Sequence, residues 1–325
     1  MASGRRENRG WLRAVGLLCL TLALAIVSVR ALIAVPFILM AFALPPHRAA
    51  TLFLASAFGL LVFADQAPSG LWFAERGWAL MLGGWFVALT LRWPSSGFTN
   101  RSLGAVAGAF VAVAAILAVR PGAWVVVSWQ IGDRIQQGVS SALDALRLMQ
   151  GGDVSETLVN AVYQTASAQE TIFPALLALT SMSALGVAWW LYVRLARGSD
   201  QGLAPLRDFR FSDQFVWLLI AGLVPVAAVA LEATFGSTLW PGAWGEPPVR
   251  FGTNALVFMG ALYALRGVAV VLFLYGGLNL IGMIVFVVGL LFVAPVIAAG
   301  AMVIGIGDTW LDLRTRARPE VPEGH

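Results

Sequence analysis

Residues 252–275 read GTNALVFMGALYALRGVAVVLFLY, an almost unbroken apolar run with a single ionisable side chain, Arg266, set in its interior. A bilayer core is crossed by about 20 predominantly apolar residues in a helix, so this stretch reads as a membrane span. Its arginine is the exception that carries information. An ionised side chain at bilayer depth costs at least about 2.5–3.5 kcal/mol on insertion scales. Arg266 is therefore expected to face the interior of a bundle, either paired with a carboxylate or lining a polar cavity.

Working outward, comparable apolar stretches occupy 12–29, 31–44, 49–64, 77–91, 103–119, 171–193, 214–231 and 279–305. The composition agrees, with 59% apolar and only 12% charged residues over 325 positions, where soluble domains carry roughly 25% charged residues. The fold class expected is all-α, a polytopic membrane helix bundle of eight or nine transmembrane helices with a short extracytoplasmic helical insertion. The expected division is a five-span bundle over 1–119, an amphipathic insertion over 120–170, a second group of spans over 171–305 and a polar tail over 306–325. Arg30 follows the first run where a signal-peptide cleavage site would need a small residue, so that run is expected to remain as the first span.

Arginine placement sets the orientation, since cytoplasmic loops carry the basic excess. With the N-terminus in the cytoplasm, that side holds Arg5, Arg6, Arg9, Arg13, Arg48, Arg92, Arg101, Arg194, Arg197, Arg207 and Arg210. The other side holds Arg30, Arg76, Arg120, Arg134, Arg147 and Arg250, a smaller set. The inner (plasma) membrane with a cytoplasmic N-terminus is the location this implies. Trp11, Trp72, Trp93, Trp124, Trp129, Trp240, Trp244 and Trp310 fall near span ends, where an interfacial belt belongs. Nine full spans would carry Arg314, Arg316 and Arg318 outside, whereas a break near Pro295 would let 279–305 turn back and keep the tail inside. Both arrangements stay open at this point.

Much chemistry is excluded by inventory. Cys19 is the single cysteine, His47 and His325 are the two histidines, and every basic residue is arginine. A thiolate metal cluster, a phosphate-loop lysine and a Schiff base lack their residues, and a two-histidine metal site or a Ser-His-Asp triad would have to recruit His47 or the terminal His325, which lie far apart in the chain. No catalytic residue, metal site or cofactor is expected. A net charge of +4 over this length reflects membrane topology and implies no nucleic-acid partner.

Between the spans, Ile131, Ile135, Val139, Ala142, Leu143, Leu146 and Met149 recur at helical spacing, with Asp133, Arg134, Gln137, Asp144 and Arg147 opposite. Gly151 and Gly152 end that helix, and Ser155 can cap a second one bearing Leu158, Val159, Val162 and Tyr163. The pair reads as a solvated connector with an apolar underside or as a lid over the bundle. The cytoplasmic loop 194–213 reads as a hydrated basic loop or as a docking site for a soluble partner or anionic lipid.

The candidate ligand-binding or ion-pair set centres on Arg266, with Tyr263 beside it and Glu232 and Asp308 as carboxylate partners. Asn254 and Asn279 join it as residues able to hydrogen-bond across helices. Glu75 and Arg76 read as interfacial. Gly104, Gly108 and Ala112, and likewise Gly260 and Ala264, repeat small residues at four-residue spacing and are candidates for close helix packing.

The segments AVPFILMAFALPPHRAATLF (34–53), LYALRG (262–267) and IGDTWLDLRTR (306–316) resemble the YybS-like family of multi-pass bacterial membrane proteins. In that family the early spans are similar to the substrate-binding S components of energy-coupling-factor transporters. The resemblance implies a small-molecule ligand and a separate energising partner, and it carries over no catalytic residue. Two functions follow, neither enzymatic. One is small-molecule binding or transport through a polar intramembrane cavity near Arg266. The other is a non-transporting scaffold or assembly factor for envelope machinery, with a membrane or cytoplasmic protein partner. The lipid bilayer is a partner in both.

Overall fold

In lipid every backbone N–H and C=O must be satisfied within the protein, which favours helices over open strands. The computed structural model describes residues 3–63, 70–150, 155–195, 206–236, 246–276 and 280–317, and these are helical with short connections and no strand. They form α1 (Ser3–Val27), α2 (Ala34–Phe42), α3 (Pro46–Phe63), α4 (Gly70–Arg92), α5 (Phe98–Val119), α6 (Pro121–Gln150), α7 (Glu156–Thr171), α8 (Phe173–Leu195), α9 (Val216–Phe235), α10 (Glu246–Leu274), α11 (Leu280–Leu311) and α12 (Leu313–Arg316). Six segments, in α3, α5, α8, α9, α10 and α11, are long and apolar enough to cross a bilayer. The chain is an integral membrane protein. Trp72, Trp93 and Trp310 are exposed at helix ends, Trp11 and Trp129 are exposed two turns inside α1 and α6, and Trp240 and Trp244 lie outside the described residues.

Residues 1–203 and 204–325 are two compact units. In the first, α3 and α4 pack as a hairpin, α5 lies against α4, and α8 packs on α2, α4 and α5. The segment 171–193 thus sits with the early helices. An aromatic cluster fills the centre: Phe37 lies 5.5 Å from Phe86, and Phe86 lies 5.6 Å from Phe98 and 5.5 Å from Trp189, all tilted pairs. Such pairs add about 0.5–1.5 kcal/mol each beyond the area they bury.

α6 and α7 pack on one another through the stripes their sequences carry. Val139, Leu143 and Ala166 are buried, with Ile135, Val159 and Val162 against them. The stripe ends there, since Met149 is 84% exposed. Ser155 occupies the N-cap of α7 without a side-chain cap bond; its carbonyl accepts from Leu158 and Val159.

In the second unit α9 and α10 pair, and α11 packs on α10. Val293 departs from helical geometry (φ −132°, ψ 28°) two residues before Pro295. Proline lacks the N–H and crowds the carbonyl four residues back, so α11 bends there. Beyond the bend, α10 and α11 touch backbone to backbone. A Cβ on Gly267 would fall on the carbonyl oxygen of Ala301, and one on Gly305 on that of Tyr263. The expected small-residue positions make looser contacts: Cβ atoms on Gly104 and Gly108 would meet Leu89 and Trp85 of α4 at 3.0 and 2.9 Å, and one on Gly260 would meet Met302 at 3.4 Å. Ala112 and Ala264 are half-buried.

Overpacking of this kind costs about 1–3 kcal/mol or more. Gly267→Ala and Gly305→Ala are each expected to lower stability in detergent-titrated unfolding by at least that much. Gly300→Ala and Gly307→Ala, which meet nothing within 4 Å, are expected to change it by no more than about 1 kcal/mol, the helix-propensity difference.

Candidate functional site

Arg266 projects from α10 and is completely buried. Its Nε donates to Asp308 Oδ2 of α11 at 2.9 Å, and its Nη1 donates to Asp213 Oδ1 at 2.8 Å. Asp213 opens the 3-10 turn Asp213–Phe215 that leads into α9. The guanidinium carbon stands 5.5 Å from the centre of the Phe211 ring, which in turn meets Tyr263 edge-on at 5.2 Å. The buried arginine is therefore held by two carboxylates and an aromatic face contributed by α11 and the segment 206–215.

The network extends beyond this pair. Arg314 of α12 approaches Asp308 Oδ2 at 3.6 Å and donates to the carbonyls of Arg207 (3.3 Å) and Phe209 (3.0 Å). Arg210 lies 3.9 Å from Asp213 and 3.6 Å from Asp312. Asp312 adopts a left-handed backbone (φ 42°) and accepts from Thr315 Oγ1 at 2.7 Å. Burial pushes the Arg314 guanidinium below its ordinary pKa, and the charge of Asp308 acts in the opposite direction. The chain Arg314–Asp308–Arg266–Asp213–Arg210–Asp312 alternates in sign and sums to zero, so it presents no net charge to recruit an anion. Its geometry ties the segment 206–215 and the C-terminal helix α12 to α10 and α11.

The other expected members of this site fall elsewhere. Glu232 lies toward the end of α9, about 24 Å along the axis from the helix start that Asp213 precedes, at 1.5 Å per residue. Asn254 Nδ2 donates to the carbonyl of Arg250 in its own helix at 2.8 Å. Asn279 lies outside the described residues. Asp213 and Arg314 were not among the candidates, because a polar loop and a tail carry no periodic signal that places them against a span.

A second feature, a cavity of about 1220 Å³, lies within residues 1–203. Its walls come from the end of α1, the start of α4, the end of α5 and the start of α8, and α6 and α7 run along it through Ile131, Gly138, Val139, Ala142, Val162 and Thr165. The lining is mostly apolar. Among the described residues its charged members are Arg30, Glu75 and Arg134, and Glu75 is ion-paired with Arg134, joining α4 to α6. Trp78 Nε1 donates to Ser181 Oγ at 3.0 Å across the wall. Arg76, beside Glu75, turns away to stack on Trp72 at 3.8 Å. Arg266 is not part of this lining.

The same unit also buries Arg101, which is 4% exposed. It donates to Thr90 Oγ1 at 3.2 Å and faces Trp189 at 5.0 Å and Phe86 at 5.5 Å. Desolvated cation–π contacts of this kind reach about 2 kcal/mol.

Removing one partner of a buried pair leaves an uncompensated charge and costs about 3–5 kcal/mol, whereas an apolar replacement of both is often neutral. Arg266→Met is expected to destabilise by that amount in detergent-titrated unfolding, and Arg266→Met with Asp308→Leu is expected to recover most of it. Full exposure of an adduct-binding pocket by the single substitution, with unchanged stability, would contradict the structural role. No family model, no curated protein and no solved structure matches the chain.

Proposed function

We propose that this chain is a small-molecule-binding protein of the inner membrane, and that its site is the cavity of residues 1–203. The observation that carries the reading is the cavity itself: about 1220 Å³, above the roughly 300–1,000 Å³ of typical ligand pockets, bordered by two amphipathic helices. The sequence-based lid reading of 131–169 is supported by the contribution of both helices to its wall. The proposal assigns no catalysis to the chain, and it keeps the YybS-like resemblance and transport of the bound molecule as expectations.

The proposed topology has the N-terminus in the cytoplasm and eight crossings, formed by α1, the Val29–Phe42 segment, α3, α4, α5, α8, α9 and α10, with the broken α11 turning back. Two facts support it. Arg48, Arg92 and Arg194 sit at the ends of α3, α4 and α8 opposite to those that line the cavity. Arg314 bonds to the carbonyls of Arg207 and Phe209, which favours a tail on the same side as the 194–213 loop. The cavity then opens on the extracytoplasmic side.

A scaffold role is the second reading, and one observation favours it: Arg266 is closed off by Asp308 and Asp213. Native mass spectrometry of the full chain from its host membranes separates the two. Gly138 lines the cavity, and a Cβ there meets nothing within 4 Å. Gly138→Phe should therefore occlude the cavity while holding the unfolding midpoint at or above that of the parent, since glycine is the poorer helix former. A small-molecule adduct on the parent that the variant loses is the expected result. No adduct on either, with a stoichiometric protein partner on both, would leave the scaffold.

A further inference from the structure

We propose that the ligand of this cavity is an anionic membrane lipid, with its acyl chain along the apolar wall and its acidic headgroup at Arg30. The inference rests on the binding reading above and adds the class of the ligand.

Access comes first. Ile26 and Val27, in the last turn of α1, line the cavity and are 86% and 88% exposed. The apolar wall is thus continuous with the outer apolar surface of the helix, so a chain can slide in from the bilayer without crossing water. An entrance of this kind suits a molecule already dissolved in lipid.

The interior comes second. Two polar groups of the wall are engaged within the protein, Trp78 Nε1 with Ser181 and Thr165 Oγ1 with the carbonyl of Ala161 at 2.8 Å, and Ser28 and Gln169 add to the uncharged polar lining. Ile131, Ile135, Val139, Leu177 and Phe173 supply much of the remaining surface. Such a wall is as apolar as the bilayer interior, so an acyl chain can exchange into it, and it offers few polar partners to a hydrogen-bonding solute.

Charge decides the headgroup. Among the described residues the lining holds two arginines and one carboxylate, and that carboxylate, Glu75, is ion-paired with Arg134. Arg30 remains, exposed and without an ion-pair partner among the described residues, in the 3-10 turn Val29–Ile33 that directly follows Ile26 and Val27. One uncompensated cation therefore stands beside the apolar entrance. Its planar fork suits a phosphate or carboxylate. A zwitterionic head would bring a cation of its own, for which the described residues of the lining offer no unengaged carboxylate.

The test uses the full chain in phosphatidylcholine vesicles containing a trace of phosphatidylglycerol with a diazirine at the end of one acyl chain. After irradiation, labelled residues are mapped by mass spectrometry. Labels on the cavity residues Val139 and Leu177 are scored against Val187 of α8, which is 67% exposed and does not line the cavity. The expected result is enrichment on the cavity wall, lowered about fivefold by Arg30→Gln, in line with about 1 kcal/mol per basic residue acting on an anionic lipid. Arg30→Lys should restore it, and diazirine-tailed phosphatidylcholine should label the wall weakly. Equal labelling by the two lipids, or no loss in Arg30→Gln, overturns the anionic assignment and leaves the cavity a binding site. No labelling by either lipid, with a Gly138-dependent adduct still present, overturns the lipid assignment alone. No labelling and no adduct overturns both readings.

Discussion

A guanidinium carried into the apolar part of a membrane protein must meet its counter-charge inside the protein, and the second unit is organised around that requirement. Arg266 draws Asp308 from α11 and Asp213 from the turn before α9 to one point on α10. Asp308 then holds Arg314, which bonds to the carbonyls of Arg207 and Phe209. Segments that follow no hydrophobic periodicity are positioned by this chain of opposite charges. The backbone contacts at Gly267 and Gly305 bring α10 and α11 close enough for Arg266 and Asp308 to bond directly. Electrostatics and steric fit therefore act on the same helix crossing.

The first unit answers a different problem, how to keep space open in a helix bundle. Packed interiors normally leave few voids larger than a water molecule. Here two amphipathic helices, α6 and α7, bury their stripes mainly against each other through Val139, Leu143 and Ala166. A cavity remains bordered by their small and aliphatic side chains. The Glu75–Arg134 pair ties α6 to α4 at its wall. The aromatic cluster around Phe86 and the buried Arg101 provide dense packing elsewhere in the unit. Rigid packing and open volume are thus segregated within one set of helices.

Sequence patterning located the six helices long and apolar enough to cross a bilayer, because an apolar run of that length has few alternatives, while its stretches 12–29, 31–44 and 77–91 are not among those six. It also located the amphipathic stripes of α6 and α7, and it singled out Arg266 with Asp308 as one of its partners. The small-residue repeats were harder to rank. Gly104, Gly108 and Gly260 share the four-residue spacing, yet the tightest approach falls on Gly267 and Gly305. Ala301 and Gly305 carry the same spacing in the last apolar stretch, so the signal was present but indistinguishable from its neighbours. Spacing reports what a helix face allows, and only a facing helix determines which allowance is used.

The sequence by itself determined the fold class, the bundle's apolar segments and the need for a counter-charge at Arg266, since each follows from local composition and the energetics of the bilayer. Tertiary structure alone decided that Asp213 and Arg314 complete the charge network, that α8 belongs with the early helices, and that the cavity adjoins Arg30 and α6–α7. The physical reason is the same in each case. These are contacts between residues far apart in the chain, and their geometry depends on how helices cross, which no single segment encodes.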